Sequence, residues 1–335
     1  MLDVRRLRLL RDLARLGTIA AVARSHTYTP SAVSQQLAAL EREAGVPLLE
    51  RTGRGVTLTP AGVVLVGHAE SVLAALEGAS AALATARGVL SGPLRIGAFP
   101  SAARTLLPAA LVSLGRDHPG LELMVTELDP VAAPAALRER RLDVALVHDY
   151  DILPDEPDET LDAVPLLAET VFLAGPANGP DPGAEPVADA RREPWIVGTP
   201  GTVCHAVALQ VCHAAGFTPL VRHHADDFAT VLALVAAGLG VSLVPQLAAT
   251  RPPDGVRLVP LAPRRRTRVT YRRGAATHPA VAACVAAIRA ATRAHLGTRD
   301  HLDGGPAQDR RSDAFQGRVT GTAQCQTGPP RRPAE

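Results

Sequence analysis

The apolar positions at the start of the chain predict two helices separated by a capped turn. Six leucines in the first sixteen residues recur at helical spacing, which indicates an amphipathic helix that ends at Gly17. They are Leu2, Leu7, Leu9, Leu10, Leu13 and Leu16. Thr18 has a suitable side chain to cap a second, shorter helix, which we expect from Ile19 to Ser25.

A third helix is predicted from Pro30 to about Glu43. Thr29 precedes it as a cap, and proline is well tolerated at the first position of a helix. Val33, Leu37 and Leu40 follow one another at steps of four and three, so they form one buried stripe. The opposite face of this helix is mostly polar.

A hairpin rich in glycine and arginine follows the three helices. Its sequence is Leu49-Glu50-Arg51-Thr52-Gly53-Arg54-Gly55-Val56-Thr57-Leu58. Three helices and such a hairpin, in this order, are typical of a winged helix-turn-helix, which places one helix in the major groove of DNA. We therefore predict a DNA-binding domain over residues 1–59, with double-stranded DNA as its partner.

Polar side chains near the start of the third helix are candidates for reading bases. Ser34, Gln35 and Gln36 lie where side chains can reach base edges. A glutamine amide can pair bidentately with adenine, and a good pair of this kind contributes about 1–3 kcal/mol of discrimination. For Gln36 an alternative stays open, since it is next to Leu37 in sequence and could face inward.

Phosphate contacts are expected at the edges of this surface. Thr29 and Ser31, on either side of Pro30, could hold a phosphate at the helix N-terminus. Arg51 and Arg54 on the hairpin suit contacts to phosphates or to the minor groove. The alternatives are that Thr29 and Ser31 only cap the helix and that the two arginines are ordinary surface charges.

Residues 60–90 predict one long helix, from Pro60 to about Arg87. Its apolar positions alternate at steps of four and three, the 3.5-residue repeat of a coiled-coil seam. They are Leu65, Ala69, Val72, Leu76, Ala79, Leu83 and Ala86. A free monomer would expose this seam, so we expect a homodimer or homotetramer built through this linker helix. The alternative is a helix packed on its own domain.

Beyond Gly92-Pro93 the apolar period switches repeatedly between that of a strand and that of a helix, which predicts an α/β fold. Strands are expected at Leu94–Ala98, Leu121–Glu127 and Asp143–Val147, with helices from about Ala102 to Arg116 and from Val131 to Arg140. A second group of strands is expected at Thr170–Ala174, Trp195–Val197, Leu220–His224 and Val241–Val244. Two further strands, Val256–Leu261 and Arg268–Arg272, and a helix from about Pro279 to His295 would return the chain to the first group.

A chain that returns in this way forms two lobes around a cleft, where small ligands tend to bind. We predict an effector-binding domain over residues 91–296. Lobe I would comprise about 91–163 and 256–296, and lobe II about 164–255. Residues 297–335 are rich in Gly, Pro, Arg, Asp and Gln, and we expect a disordered tail.

Composition limits the classes of function. The chain has 335 residues and a net charge of only +2, too little for a nucleoid-type structural protein, although residues 1–60 hold nine arginines against five acids. The charged N-terminus is not that of a secretory signal, and about 18 consecutive apolar residues occur nowhere, so we expect no membrane span. Four cysteines, Cys204, Cys212, Cys284 and Cys325, are too sparse for a disulfide scaffold, and the cytoplasm is the expected location.

From residue 1 to about 296 the chain resembles the LysR-type transcriptional regulators. The N-terminal motifs are specific: Ala20-Ala21-Val22-Ala23, Ser31-Ala32-Val33-Ser34-Gln35-Gln36-Leu37, Gly45-Val46-Pro47-Leu48-Leu49-Glu50-Arg51 and Leu58-Thr59-Pro60-Ala61-Gly62. The second half matches by pattern, at Leu94-Arg95-Ile96-Gly97, His118-Pro119-Gly120, Leu142-Asp143-Val144-Ala145-Leu146-Val147 and Gly238-Leu239-Gly240-Val241-Ser242-Leu243-Val244-Pro245. The family more often has Gln at position 30, Pro at 31 and Phe at 49.

The resemblance implies a homodimer or tetramer formed through the long helix. It also implies an effector domain like the periplasmic binding proteins, control of nearby genes, and RNA polymerase as a further partner. No cofactor is expected.

Two loops that precede helices are candidate effector sites. Ser101 follows the first strand of lobe I, and Thr199 and Thr202 occupy the matching place in lobe II, where N–H groups and hydroxyls could bind a carboxylate. His148 ends a strand at the crossover, and Phe228 begins a helix that could line the cleft. Aromatic residues are only 3% of the chain, which favours a small polar effector. In each case capping or turn formation is the alternative.

Cys204 and Cys212 allow a redox interpretation. The resemblance extends to peroxide-sensing members, which carry two cysteines nine apart in this region, and Cys212-His213-Ala214-Ala215-Gly216 is similar to the segment around their second cysteine. Here the spacing is eight, and Cys204 has no adjacent arginine to lower its pKa. Two buried helix cysteines are the competing interpretation.

Other classes of protein fit less well. The chain has no nucleophile elbow, Walker loop or dinucleotide fingerprint, so we predict no enzyme and no catalytic residue. No metal site is expected either, because the acidic stretch from Asp149 to Asp162 is interrupted by prolines. A solute-binding protein without a regulatory role would share the two lobes, but it would not carry the winged helix or the long helix.

Overall fold

The computed structural model describes residues 1–300 except 54, 87, 89, 155–157 and 180–182, and of residues 298–300 it describes the backbone only. Arg54, Cys325 and the predicted tail beyond Asp300 therefore lie outside the described residues. Residues 1–295 form one compact unit.

Four helices and a hairpin make up the N-terminal part. The helices are α1 (Val4–Leu16), α2 (Ile19–Ser25), α3 (Pro30–Ala44) and α4 (Pro60–Ala86), and the antiparallel hairpin joins β1 (Leu49–Thr52) to β2 (Gly55–Leu58). Both predicted threonine caps are confirmed. The hydroxyls of Thr18 and Thr29 accept hydrogen bonds from the N–H groups of Ala21 and Ala32, each at 3.2 Å.

The apolar stripe of α3 lies at the centre of the N-terminal core. Val33, Leu37 and Leu40 are at most 1% exposed and pack in one cluster with Leu10 and Val22. Because three helices contribute to this cluster, the outward face of α3 is held in a fixed orientation.

Helix α4 begins against this domain and then extends away from its core. Gly62 lies so close to the carbonyl of Leu48 that a Cβ would not fit, and Ala69 is fully buried. Large apolar side chains remain exposed along the helix: Val63, Val64, Val72, Leu76 and Leu83. By length and composition alone, α4 is also the one described helix that could cross a membrane. The predicted seam is thus covered near Ala69 and exposed from Val72 onward.

The effector domain alternates strands and helices. Its first part contains β3 (Gly92–Ala98), α5 (Pro100–Thr105), α6 (Leu107–Asp117), β4 (Leu121–Glu127), the 3-10 helix η1 (Pro130–Ala132), α7 (Ala133–Arg138), β5 (Val144–Tyr150) and β6 (Leu161–Pro176). The remainder contains α8 (Pro186–Asp189), η2 (Ala190–Arg192), β7 (Pro194–Val197), α9 (Val203–Ala214), β8 (Leu220–His224), α10 (Phe228–Ala236), β9 (Ser242–Pro245), β10 (Val256–Arg272) and α11 (Pro279–Asp300).

One six-stranded sheet, in the order β4-β3-β5-β10-β6-β9, runs through the effector domain. Strand β3 is parallel to both neighbours, whereas β10 is antiparallel to β5 and β6. Strands β7 and β8 form a separate parallel pair, linked to the rest by a bridge from Trp195 to Val241. The core of lobe I lies between the sheet and α5, α6 and α11.

The pairing of β6 with β10 corrects the strands predicted around it. The two segments expected at Val256–Leu261 and Arg268–Arg272 are one strand, and the strand expected at Thr170–Ala174 begins at Leu161. Each long strand pairs with the other along its length, with register shifts between Pro260 and Arg264 and between Thr267 and Arg268. Long-range pairing thus continues the strand through the segment that was predicted as a break.

Prolines divide two helices that we predicted as continuous. The helix expected from Ala102 to Arg116 is α5 followed by α6, since Pro108 has no N–H to donate and its ring would clash with the carbonyl of Arg104. Pro134 acts similarly, and the helix expected from Val131 to Arg140 is η1 followed by α7. The last helix, expected to end at His295, continues to Asp300.

The N-terminal part packs directly on lobe I. Glu77 of α4 forms ion pairs with Arg140 and with Arg272, whose Nε lies 3.3 Å away. Gly274, at φ +85°, approaches the backbone of Ala74 so closely that a Cβ would collide with its carbonyl. The linker helix therefore contacts the effector domain of its own chain.

Candidate functional site

The turn between α2 and α3 sets the angle of α3, the helix that is predicted to enter the major groove. The Tyr28 N–H donates to the carbonyl of Ala23 at 2.9 Å, and Thr27 adopts a left-handed φ of 56°. Pro30 occupies the first turn of α3, after the Thr29 cap. The hydroxyl of Thr29 is thus engaged with its own helix, as the capping alternative expected.

The outward face of α3 carries the predicted base-reading side chains. Ser31, Ser34 and Gln35 are exposed, on a helix whose buried residues are Val33, Leu37 and Leu40. Gln36 is also exposed, so the alternative that it faces inward is wrong. Its side-chain oxygen accepts a hydrogen bond from Nε of Arg6 at 2.9 Å, which directs Gln36 toward α1. Three free polar side chains thus remain on the outward face.

The hairpin presents Arg51 to solvent. Arg51 is exposed and pairs in register with Val56 across the two strands. A carboxylate fixes the base of the hairpin, since Glu41 of α3 accepts hydrogen bonds from the N–H groups of Leu48 and Leu49 at 2.9 and 3.0 Å. Arg51 is therefore held in a defined position relative to α3.

A buried ion pair lies where the long strands cross between the lobes. Arg265 is 0% exposed, and its guanidinium lies 2.6 Å from the carboxylate of Glu169. It also donates to Oγ of Ser101 at 3.2 Å and stacks 4.9 Å above the ring of Phe99. Within the described residues its NH1 has no hydrogen-bond partner. Ser101 thus contributes to a buried centre built on this ion pair.

His148 and Tyr150 extend this centre toward lobe II. The His148 ring packs edge-on against Phe99 and Tyr150, with centroids 4.6 and 5.5 Å apart. Burial, reinforced by the nearby Arg265, holds the pKa of His148 well below its usual value. The hydroxyl of Tyr150 lies 4.0 Å from Sγ of Cys204. His148 is therefore neutral and belongs to the same cluster as Ser101.

The three residues predicted in lobe II serve local structure. Thr199 binds the carboxylate of Asp226 through its N–H and its hydroxyl, both at 2.8 Å. Thr202 caps α9, accepting from the N–H of His205 at 3.2 Å. Phe228 is 8% exposed and packs in the core of lobe II. Ser101 and His148 are thus brought together in one cluster. The other three residues instead stabilise local structure within lobe II.

Two cavities adjoin this centre. One of about 20 Å³ touches Cys204 and Phe228. A larger one, of about 270 Å³, is lined by His148, by Val131 of η1 and by Val203 of α9. The larger cavity has room for a small molecule in contact with both lobes.

The sequence did not identify Arg265 and Glu169 as site residues. Arg265 is the middle one of three consecutive arginines, and such a run suggests a solvated surface. The available signal was the strand alternation, which turns the middle residue to the face opposite its neighbours. Among the described residues, no group of three or more His, Cys, Asp or Glu could hold a metal ion.

Two family models match the chain. Residues 4–63 match the bacterial regulatory helix-turn-helix protein of the lysR family, and residues 87–293 match the LysR substrate binding domain. A probable hydrogen peroxide-inducible genes activator of Mycobacterium avium is 35% identical over 248 residues, covering 70% of this chain and 78% of that protein. The DNA-binding transcriptional dual regulator OxyR of Escherichia coli K12 is 32% identical over 301 residues, covering 86% and 97%.

This chain is also similar to a solved structure of a regulator named OxyR. A mutant of OxyR from Corynebacterium glutamicum aligns with a TM-score of 0.55 and 26% identity, over 90% of this chain and 96% of that one. These relatives are transcriptional regulators, as the winged helix-turn-helix and the two-lobe domain predicted, and not enzymes. The chain belongs to the LysR family of transcriptional regulators.

Proposed function

We propose that two or more copies of this regulator read a dyad-symmetric DNA site with α3, under the control of a small molecule bound between the lobes. The observation that supports DNA reading best is the exposed polar face of α3. Ser31, Ser34 and Gln35 project from a helix that is capped at its start and fixed by its buried stripe. Arg51 and Arg54 of the hairpin would contact phosphates beside it.

The test of base reading uses the DNA upstream of the chain's own gene. Ser34→Ala combined with Gln35→Ala should lower specific affinity about 10- to 100-fold, the effect of losing about 1–3 kcal/mol of base discrimination. Affinity is measured by gel retardation against competitor DNA, and oligomeric state by sedimentation. Ser113→Ala, at a partly exposed serine of α6 in the effector domain, is the control. Unchanged operator affinity in the double variant would contradict the assignment.

The exposed part of α4 supports assembly through this helix. Val72, Leu76 and Leu83 are 39, 43 and 67% exposed on one seam, and a second copy would bury them. Leu76→Asp combined with Leu83→Asp should shift the protein toward monomer in sedimentation velocity. Val46→Asp, which alters an exposed apolar residue outside the seam, is the control. A dimer or tetramer that persists in the double variant would show that α4 is not the assembly surface.

The cavity beside His148 is the proposed effector site. It touches both lobes, so a molecule bound there would change their relative position. Asp158 and Arg268 line this cavity, and the buried ion pair of Arg265 with Glu169 lies near His148. These charged groups favour a small polar effector. A true effector should raise the Tm of the full chain with concentration in a thermal-shift screen of metabolites. His148→Leu should remove that shift; a shift that persists would place the effector elsewhere.

Thiol sensing is the second candidate, because one relative is named as a probable hydrogen peroxide-inducible genes activator. The geometry favours it less. Cys204 and Cys212 are eight residues apart on α9, about 12 Å along the axis, whereas a disulfide needs Cα atoms within about 7 Å. Pairing would require α9 to unwind. A peroxide response that persists in Cys204→Ser would exclude this switch.

In this proposal the protein acts in the cytoplasm, where its DNA partner is found, and RNA polymerase is the machinery that it would influence. The solute-binding alternative is disfavoured by the helix-turn-helix at residues 4–63. Runoff transcription from the upstream DNA, with and without the regulator, distinguishes activation from repression.

A further inference from the structure

A groove of about 510 Å³ lies between α1 and the first half of α3. Arginines 5, 6 and 8 line one side of it, and Gln36 and Tyr28 line the other. Gln36 is the one residue on this groove that the sequence had suggested for DNA contact. The groove therefore adjoins the base-reading face without being part of it.

Arg6 fixes α1 against α3 along this groove. Its Nε donates to Gln36 at 2.9 Å, and its NH1 forms an ion pair with Glu43 of α3. The backbone N–H of Asp3 also donates to Glu43, at 3.1 Å. These contacts join the N-terminus of α1 to the middle and the C-terminal end of α3, so the other arginines of α1 keep a fixed position relative to α3.

Arg5 and Arg8 are the arginines that these contacts leave available. Neither side chain forms a hydrogen bond or an ion pair within residues 1–300 as far as they are described. Arg5 is exposed and Arg8 is partly buried. Burial lowers the pKa of Arg8, with smaller contributions from the nearby Arg140 and Arg11, and Asp12 and Glu77 oppose the shift. Asp3 also lines the groove, and its carboxylate caps α1 by accepting from the N–H groups of Arg5 and Arg6. Three arginines thus face one carboxylate in the lining of this groove.

We propose that Arg5 and Arg8 hold the phosphodiester backbone of DNA at the edge of the major groove that α3 enters. Packed helices have axes about 8–10 Å apart, and the major groove is about 12 Å wide between its phosphate rows. A cationic groove one helix away from Ser31 and Gln35 therefore lies at a phosphate row when α3 is inserted. Arginine matches phosphate oxygens with two parallel N–H donors.

This inference rests on the proposed reading of DNA by α3, but it can be tested separately. Phosphate contacts carry no sequence information, so a duplex of arbitrary sequence serves as the probe. Affinity of the full chain is measured across a salt series. Each lost phosphate contact should reduce the slope of log K against log salt by about 0.9, in Arg5→Gln and again in Arg8→Gln. Arg5→Lys should retain most of the slope, since the charge is kept.

Arg116→Gln on α6 is the matched control, because it removes the same charge from an exposed arginine that, in the described part of the chain, pairs with the adjacent Asp117. Its slope should equal that of the unaltered chain. An unchanged slope in Arg5→Gln and Arg8→Gln would overturn the proposal. If these variants kept the slope but lost transcription activation, the proposal would also be overturned. That result would point to an acidic protein, rather than DNA, as the partner of this groove. The proposed function would be unaffected by either result provided that Ser34→Ala with Gln35→Ala still lowers specific affinity.

Discussion

The guanidinium of Arg15, near the end of α1, lies 2.5 Å from the carboxylate of Asp158, just before β6. The same carboxylate lies 2.6 Å from Arg138 of α7, and Arg15 also donates to the hydroxyl of Thr160 at 2.9 Å. One acid thus joins the DNA-binding domain to lobe I. A shift of lobe I would be transmitted to α1 through this contact.

Asp158→Asn should weaken this junction. The substitution leaves Arg15 and Arg138 without their shared partner. Both arginines are partly buried, so we expect a loss of about 1–2 kcal/mol in the free energy of unfolding. Urea denaturation of the full chain measures it. Asp117→Asn, which breaks an exposed pair with Arg116, should cost much less, because solvent screens exposed ion pairs. Equal effects of the two substitutions would show that the junction contributes no special stability.

Glu169→Gln should be far more damaging, because it leaves the charge of Arg265 buried and uncompensated. Breaking a buried ion pair from one side typically costs about 3–5 kcal/mol. Glu169 also accepts a hydrogen bond from the N–H of Leu247, so its loss disturbs the segment after β9. Urea denaturation should show a large fall in midpoint. Replacing both partners, with Glu169→Leu and Arg265→Met, should recover part of the loss; a double variant as unstable as the single one would contradict this account.

This ion pair also shows where prediction from the sequence reached its limit. The N-terminal domain could be predicted closely because its signals are local: Thr18 and Thr29 cap helices a few residues away, and Val33, Leu37 and Leu40 mark one face. The contact of Arg265 with Glu169 depends on pairing between strands that are almost a hundred residues apart. Arg265 lies between the two strands that were predicted there, so its pairing could not be read from either segment alone.

Cys204 should react slowly with alkylating agents at neutral pH. Burial raises the pKa of its thiol to about 11, and the thiolate is the reactive form. The rate of iodoacetamide modification should therefore rise about tenfold per pH unit up to about pH 11. Mass spectrometry of the native chain measures the rate at each pH. Cys212, with a pKa raised by burial to about 12, should be slower still. Rapid modification of Cys204 at pH 7 would favour the thiol-sensing candidate.

His148 should make the fold less stable as the pH falls below about 6.5. Its pKa is lowered in the folded state by burial and by Arg265, so between the folded and unfolded pKa values the unfolded chain binds more protons. Stability then rises with pH through this window and is lost on acidification. The unaltered chain should therefore lose stability from pH 7.5 to pH 5.5. His148→Phe, which keeps an aromatic ring against Phe99 and Tyr150, should lack this component in urea denaturation at the two pH values. His213→Gln, on the exposed side of α9, should keep it. An equal acid loss in the Phe variant and the unaltered chain would show that other groups govern the pH dependence.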